Sequence, residues 1–267
     1  MEILRPNPAP GRLRHVVFDF DGTLSLIREG WQLVMQAMMV EILRATAPAA
    51  HETELPAVVM EPIVRLAGKP TVDQMRWLAE EVAKGGGRPL TPGDYKQQYL
   101  GRLEEHIRGR LGDLRTGRVP PATWLVPGSK QFLERVRERG VTCYLASGTD
   151  EDRVRDEAML LGLAPFFVEI CGARPDGSFS KRMLLGRIVA EHHLTDGELA
   201  VFGDGRVEIE DAKAVGGIAI GVASNEREWR GVDEDKRAQL IEAGADAIIP
   251  DFRSPAALLA YFWPELL

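Results

Sequence analysis

Apolar positions along the chain fall into two rhythms. In REGWQLVMQAMMVEILRA, Trp31, Val34, Met35, Met38, Met39, Ile42 and Leu43 recur at i, i+3, i+4, i+7, the spacing of one helix face. The methionines in that stripe read as core filling. TVDQMRWLAEEVAK predicts a second helix, with Thr71 as N-cap and Gln74 closing a capping box. TPGDYKQQYLGRLEEHIRGRL predicts a third, with Thr91 as N-cap and Pro92 at the first helical position. The KGGGRPL between them could cradle a phosphate, but no strand precedes it and no GK[ST] follows, so it reads as a flexible loop.

From VPGSKQFLERVRERG onward the rhythm changes, with that helix ending at Gly140. Short apolar runs (VTCYLA, FFVEI, ELAVF, IAIGVA, DAIIP) now alternate with helices over 152–161, KRMLLGRIVAEHH, VEIEDAKAV and SPAALLAYF. That alternation predicts an α/β fold, a Rossmann-like and mostly parallel sheet with helices on both faces. A further unbroken run, His15 to Asp19, reads as a strand buried on both sides. A lone strand among helices cannot satisfy its backbone, so it must join the later sheet. The expected organisation is an α/β core of residues 1–24 and 125–267, with a helical module, residues 25–124, inserted into it.

Composition narrows the partners. The net charge is -7 with both signs interspersed, which disfavours nucleic acid. The two cysteines, Cys143 and Cys171, form no CxxC, so neither a zinc site nor a disulfide framework is implied, and reduced thiols in a cytoplasmic protein are expected. The first residues lack the apolar core of a signal peptide and no apolar run is long enough for a bilayer, so no membrane association is expected.

The candidate chemistry sits where strands run out. VVFDFDGTLS brings Asp19 and Asp21 to the end of the first strand, where open α/β sheets bind ligands. Two neighbouring carboxylates repel, and a hard divalent cation such as Mg²⁺ offsets that repulsion while keeping positions open for phosphate oxygens. LASGTD places Ser147 after another strand, where its hydroxyl and the amides of Gly148 and Thr149 would suit a phosphoryl group. VFGDGRVEIED places Asp204 between glycines at a third strand end, with Glu208 one helical turn on. Lys181 and Arg182 open a helix between these segments. Taken singly, Asp-Gly is ordinary turn chemistry, Ser147 and Gly148 fit a helix start, and Lys181 fits a solvated helix. All four in this order within a βα framework are far more specific.

With these residues in view, the chain resembles the haloacid dehalogenase superfamily, in its phosphatase branch. FDFDGTLS is similar to that family's first motif, LASGT to its second, the Lys181 segment to its third and FGDGRVEIEDA to its fourth. The helical insert resembles the C1 cap of phosphoglycolate-phosphatase-like and β-phosphoglucomutase-like members. Two departures stand out: Arg182 follows Lys181 where the family has proline, and Glu208 stands where a second aspartate is common. The resemblance implies that Asp19 is the nucleophile and Asp21 the general acid and base, with Ser147 and Lys181 holding the phosphoryl oxygens. It also implies Mg²⁺ held by Asp19, the backbone carbonyl of Asp21, Asp204 and Glu208. The expected substrate is a small phosphorylated metabolite. A phosphomutase with the same residues, or a non-catalytic binding domain, are the alternatives. Within RLAGKPTVDQ, Gly68 and Lys69 are candidate specificity residues, although an interhelical turn with a solvated lysine explains them equally well.

Overall fold

The computed structural model describes residues 1–46, 54–67, 69–174 and 176–264. The chain divides into two compact units, one of Met1–Glu29 with Asp113–Leu267 and one of Gly30–Gly112.

The first unit is built on a seven-stranded sheet. Its strands are β1 (Glu2–Ile3), β2 (His15–Phe18), β3 (Thr142–Asp150), β4 (Glu169–Ala173), β5 (Leu199–Gly203), β6 (Ile218–Val222) and β7 (Ala247–Ile249), in the order β1-β7-β6-β5-β2-β3-β4. All neighbours are parallel except the β1–β7 pair, and helices cover both faces, as the alternating rhythm predicts. HVVF of β2 is buried throughout and pairs with β3 on one side and β5 on the other. Phe18 stacks on Phe202 with centroids 4.9 Å apart, and Phe132 packs on Phe202 at 5.4 Å. This aromatic cluster fixes β2 and β5 side by side, so the residues that follow each strand emerge together.

The second unit contains α1 (Trp31–Thr46), α2 (Leu55–Arg65), α3 (Thr71–Lys84) and most of α4 (Pro92–Arg115). Met35, Met38 and Met39 are buried, the core role expected of that stripe. Thr91 caps α4 as expected, its Oγ1 accepting from the Asp94 amide at 3.2 Å. The capping box at Thr71 does not form. Thr71 lies inside α3, Pro70 occupies the cap position, and Gln74 is buried with its Nε2 donating to the Ile63 carbonyl at 3.0 Å. Gln74 thus ties α3 to α2, a helix the sequence pattern does not announce.

The remaining helices of the first unit are α5 (Ser129–Glu138), α6 (Glu151–Leu160), α7 (Lys181–His192), α8 (Arg206–Ala214), α9 (Glu234–Glu242) and α10 (Pro255–Phe262). FFVEI is displaced from its expected place. Phe166 ends a short 3-10 turn, Phe167 packs edge-on against Phe18 at 6.2 Å, and the strand starts only at Glu169. Among the described residues no helix is long and apolar enough to cross a membrane.

His15, at the amino end of β2, is buried beside His192 (ring centroids 4.3 Å apart) and the Tyr144 hydroxyl, 3.4 Å from Nδ1. Burial, then the neighbouring His192 and Arg14, push its pKa down to about 4. The unfolded chain protonates this group near 6.5 while the native state keeps it neutral. Its contribution is therefore complete above about pH 6.5 and is lost as pH falls toward 4. We expect His15→Phe to flatten the fall in unfolding free energy between pH 7 and pH 4.5, by at most about 1.4 kcal/mol per pH unit. Denaturant titrations across that range check this, and parallel slopes for the two proteins would exclude His15 as the group responsible.

Candidate active site

Strand order reverses beside β2: β3 and β4 lie on one side, β5, β6 and β7 on the other. The crevice at such a reversal is where doubly wound sheets bind ligands, and β2, β3 and β5 deliver the candidate residues to it. Asp19 follows β2 directly and its amide donates to the Phe202 carbonyl at 2.8 Å. The next turn folds back on itself, with the amides of Leu24 and Ser25 both donating to the Phe20 carbonyl at 2.9 Å. Gly22 makes that turn possible. Its φ is +74°, and a Cβ there would stand 2.1 Å from Asp204 Oδ2. Gly203 has a matching role, since a Cβ on it would meet the Cβ of Glu208. Gly22 thus lets the first and fourth segments approach closely, and Gly203 lets Glu208 fold back against the end of β5.

Lys181 is 7 % exposed and Arg182 is exposed. Ser180 starts α7 by accepting from the Met183 amide at 3.2 Å, which turns the Lys181 side chain inward. Its Nζ donates to Asp19 Oδ1 at 2.5 Å and to Glu208 Oε1. Burial raises the Asp19 pKa well above the usual carboxylate range; the Lys181 ammonium opposes this, while the Glu208 and Asp204 carboxylates add to it. Burial works against a charged Lys181, yet Asp19 and Glu208 outweigh it and leave its pKa raised. The ammonium is therefore the main charge balancing Asp19.

Asp21 reaches a different set of partners. Its Oδ2 accepts from Thr149 Oγ1 at 3.1 Å and from Ser147 Oγ at 3.4 Å. Burial lifts its pKa to about 6 against the lowering effect of Arg28. Ser147 is buried inside β3 and not just past its end as expected, since the strand runs on to Asp150, and the Thr149 amide is not available to a ligand, because it donates to Ser147 Oγ at 3.1 Å. Asp204 Oδ2 accepts from Lys236 Nζ at 2.7 Å, and the same ammonium contacts Glu226 Oε1 at 2.6 Å. Glu208 is buried, with Oε2 lacking a hydrogen-bond partner.

The fold thus brings Asp19, Asp21, Ser147, Lys181, Asp204 and Glu208 to one end of the sheet. Lys69 is exposed in the helical unit, and Gly68 lies outside the described residues. Four residues absent from the sequence reading join the site: Arg28, Glu157, Glu226 and Lys236. Arg28, placed within the apolar LSLIR run, was the one with a visible signal. Glu157 and Lys236 lie in polar helical stretches that read as solvated.

A family model for haloacid dehalogenase-like hydrolases matches residues 13–216. A phosphoglycolate phosphatase of Synechococcus elongatus is 25% identical over 210 residues, covering 79% of this chain and 84% of that protein. The structure is similar to a haloacid dehalogenase-like hydrolase of Streptococcus pneumoniae, with TM-score 0.59 and 18% identity over 94% of this chain and 99% of that one. It is likewise similar to a haloacid dehalogenase-like protein of Agrobacterium tumefaciens, with TM-score 0.61 and 19% identity over 93% and 98% of the two chains.

Gly22 and Gly11 offer a controlled comparison. Both have positive φ, but nothing lies within 4 Å of a Cβ on Gly11. Left-handed strain alone costs about 1–2 kcal/mol per non-glycine residue. Gly11→Ala should show that loss, and Gly22→Ala a clearly larger one, because Asp204 must also move. Equal losses in urea denaturation would show that the close approach of the two segments carries no energetic weight.

Proposed function

The chain belongs to the haloacid dehalogenase-like hydrolases, and on that premise we propose that it is a phosphatase, hydrolysing a small phosphate monoester through a phosphoaspartate on Asp19. The observation that carries the reading is the buried Lys181 ammonium, 2.5 Å from Asp19 Oδ1, at the strand reversal. A cation fixed there favours the ionised nucleophile and attracts a phosphoryl group to it. In the first step an Asp19 oxygen bonds to phosphorus as the ester P–O bond breaks, and Asp21 gives its proton to the departing alkoxide. In the second, water adds to phosphorus while handing a proton to Asp21, and the bond to Asp19 breaks, releasing inorganic phosphate. Positioning and electrostatics dominate such transfers. Ser147, whose Oγ accepts from the Thr149 amide and donates to Asp21 Oδ2 in the free site, would turn that proton to a phosphoryl oxygen when substrate binds.

The donor set also fits Mg²⁺. The site offers hard oxygen ligands only: carboxylates of Asp19, Asp204 and Glu208, and the Asp21 carbonyl. The buried, unpartnered Glu208 Oε2 supports this. Among the described residues no three His, Cys, Asp or Glu side chains already close around one point; Lys181 and Lys236 hold one oxygen of each carboxylate they touch. When bound, the ion would stabilise negative charge on the phosphoryl oxygens.

Chelator-treated protein should lose turnover of a panel of sugar and hydroxy-acid monophosphates, phosphoglycolate first, and recover it with added Mg²⁺. Full activity without any divalent ion would remove the metal from the reading. Release of inorganic phosphate in the same assay separates hydrolysis from transfer to a second hydroxyl, the mutase outcome.

The two basic residues that open α7 separate cleanly. Lys181→Ala should lower kcat by about 10²–10³, on the scale of one lost oxyanion donor, while the exposed Arg182→Ala stays within about threefold. Turnover alongside circular dichroism of both variants checks this. A crippled Arg182→Ala beside a normal Lys181→Ala would reverse the assignment.

A further inference from the structure

The reaction described above uses Asp21 but leaves Arg28 unexplained. Arg28 is 5 % exposed, on the segment that leads away from Asp21. Burying a guanidinium costs several kcal/mol unless its donors are met. Here Nε donates to Glu157 Oε2 at 3.1 Å and Nη2 to Glu157 Oε1 at 2.6 Å, a two-pronged pair with a carboxylate that is itself buried on α6. Nη1 donates to Thr149 Oγ1 at 3.1 Å.

The direction of the remaining bonds follows from what each group can give. A guanidinium only donates, so Thr149 Oγ1 accepts from Arg28 and turns its single proton to its other neighbour, Asp21 Oδ2, at 3.1 Å. Ser147 is arranged alike: its Oγ accepts from the Thr149 amide at 3.1 Å and faces the same Oδ2 at 3.4 Å. Asp21 Oδ2 therefore meets two hydroxyl donors. Oδ1 is buried without a hydrogen-bond partner. The Arg28 Nε that lies 3.5 Å from it has its proton directed at Glu157.

We propose that Glu157, Arg28 and Thr149 form a positioning relay for the acid–base carboxyl of Asp21. The relay keeps Oδ2 as an acceptor and leaves Oδ1 as the oxygen that gives a proton to the leaving group and takes one from water. This rests on the phosphatase reading. Arg28 is a positioning residue, since the nitrogens described are spent on Glu157 and Thr149 and not on the phosphoryl group.

The test uses two esters of one phosphoryl group: the alkyl monophosphate the enzyme turns over fastest, whose alkoxide needs a proton as it leaves, and p-nitrophenyl phosphate, whose phenolate does not. Arg28→Met and Thr149→Val should each lower the single-turnover rate of alcohol release from the alkyl ester, which reports the first step alone, by roughly 10- to 100-fold, within the range of a mispositioned general acid. The loss in single-turnover release of p-nitrophenolate should be under a tenth of that factor, while hydrolysis of the phosphoaspartate, shared by both esters, slows alike for the two. Arg28→Lys should recover part of the alkyl-ester rate. The double variant should be no slower than the slower single one, because both break the same chain. Thr149→Val, nearly isosteric, keeps the test decisive if Arg28→Met fails to fold.

Asp21→Asn is measured beside them. If it slows the first step of both esters equally, the general-acid role of Asp21 falls, and the hydrolysis mechanism with it. If Asp21→Asn discriminates between the esters and Thr149→Val does not, the relay is overturned and the phosphatase reading stands. Arg28 variants that change KM alone, or slow that first step of both esters to the same extent, also overturn it.

Discussion

Crowded negative charge at the carboxyl end of the central strands is the constraint around which the first unit is organised. Asp19, Asp204 and Glu208 lie close enough that the latter two oppose ionisation of the first. Water cannot screen them, since Asp19 and Glu208 are buried. Repulsion of this kind in a low-dielectric setting would drive the strands apart unless cations are supplied. Two internal lysines supply them. Lys181 arrives on α7 to meet Asp19 and Glu208, and Lys236 arrives on α9 to meet Asp204 and Glu226. Arg28 does the same for Asp21 and Glu157. The site is thus built as three cation-centred groups of acids, each delivered by a different element.

Packing makes that arrangement possible. The stacked Phe18 and Phe202 rings hold β2 against β5, the missing side chain at Gly22 lets the turn after β2 meet Asp204, and that at Gly203 lets Glu208 pack against the end of β5. Below the sheet's carboxyl edge the core is apolar; above it the charged and hydroxyl groups of the site gather among buried apolar residues such as Phe20 and Leu24. The boundary is sharp because β2 carries four buried residues and then, without a spacer, Asp19.

Which residues the sequence reveals follows from that boundary. Asp19, Ser147 and Asp204 are legible because each interrupts an apolar run, and Glu208 because of its helical offset from Asp204. Lys181 is legible by its place between those segments, and the inward turn set by the Ser180 cap separates it from Arg182. Glu157 and Lys236 are not legible. EDRVRDEAML and EDKRAQLIE look like solvated helices, and nothing local distinguishes a charge that will be buried against a distant partner. The same limit explains the capping box at Thr71. Gln74 satisfies the local rule for a cap, but its real partner is the Ile63 carbonyl on a neighbouring helix. FFVEI fails for a related reason: Phe167, half-buried just past a turn, packs edge-on against Phe18, and the ladder begins only where β4 meets Tyr144.

The topology has a consequence for how the chain is made. β2 is made before every other strand of the parallel ladder, yet both its neighbours, β3 and β5, begin at Thr142 and Leu199. At ordinary translation speeds roughly 120 further residues, on the order of 10 s, separate β2 from its first partner. The contiguous Gly30–Gly112 unit, whose helix contacts are local in sequence, can complete itself during that interval. HVVF, an apolar strand with no ladder of its own, must wait. Insertion of a helical unit directly after the turn that carries Asp21 therefore lengthens the period in which the nascent chain holds this apolar strand without a ladder partner, and makes vectorial synthesis a hazard that this architecture has to survive.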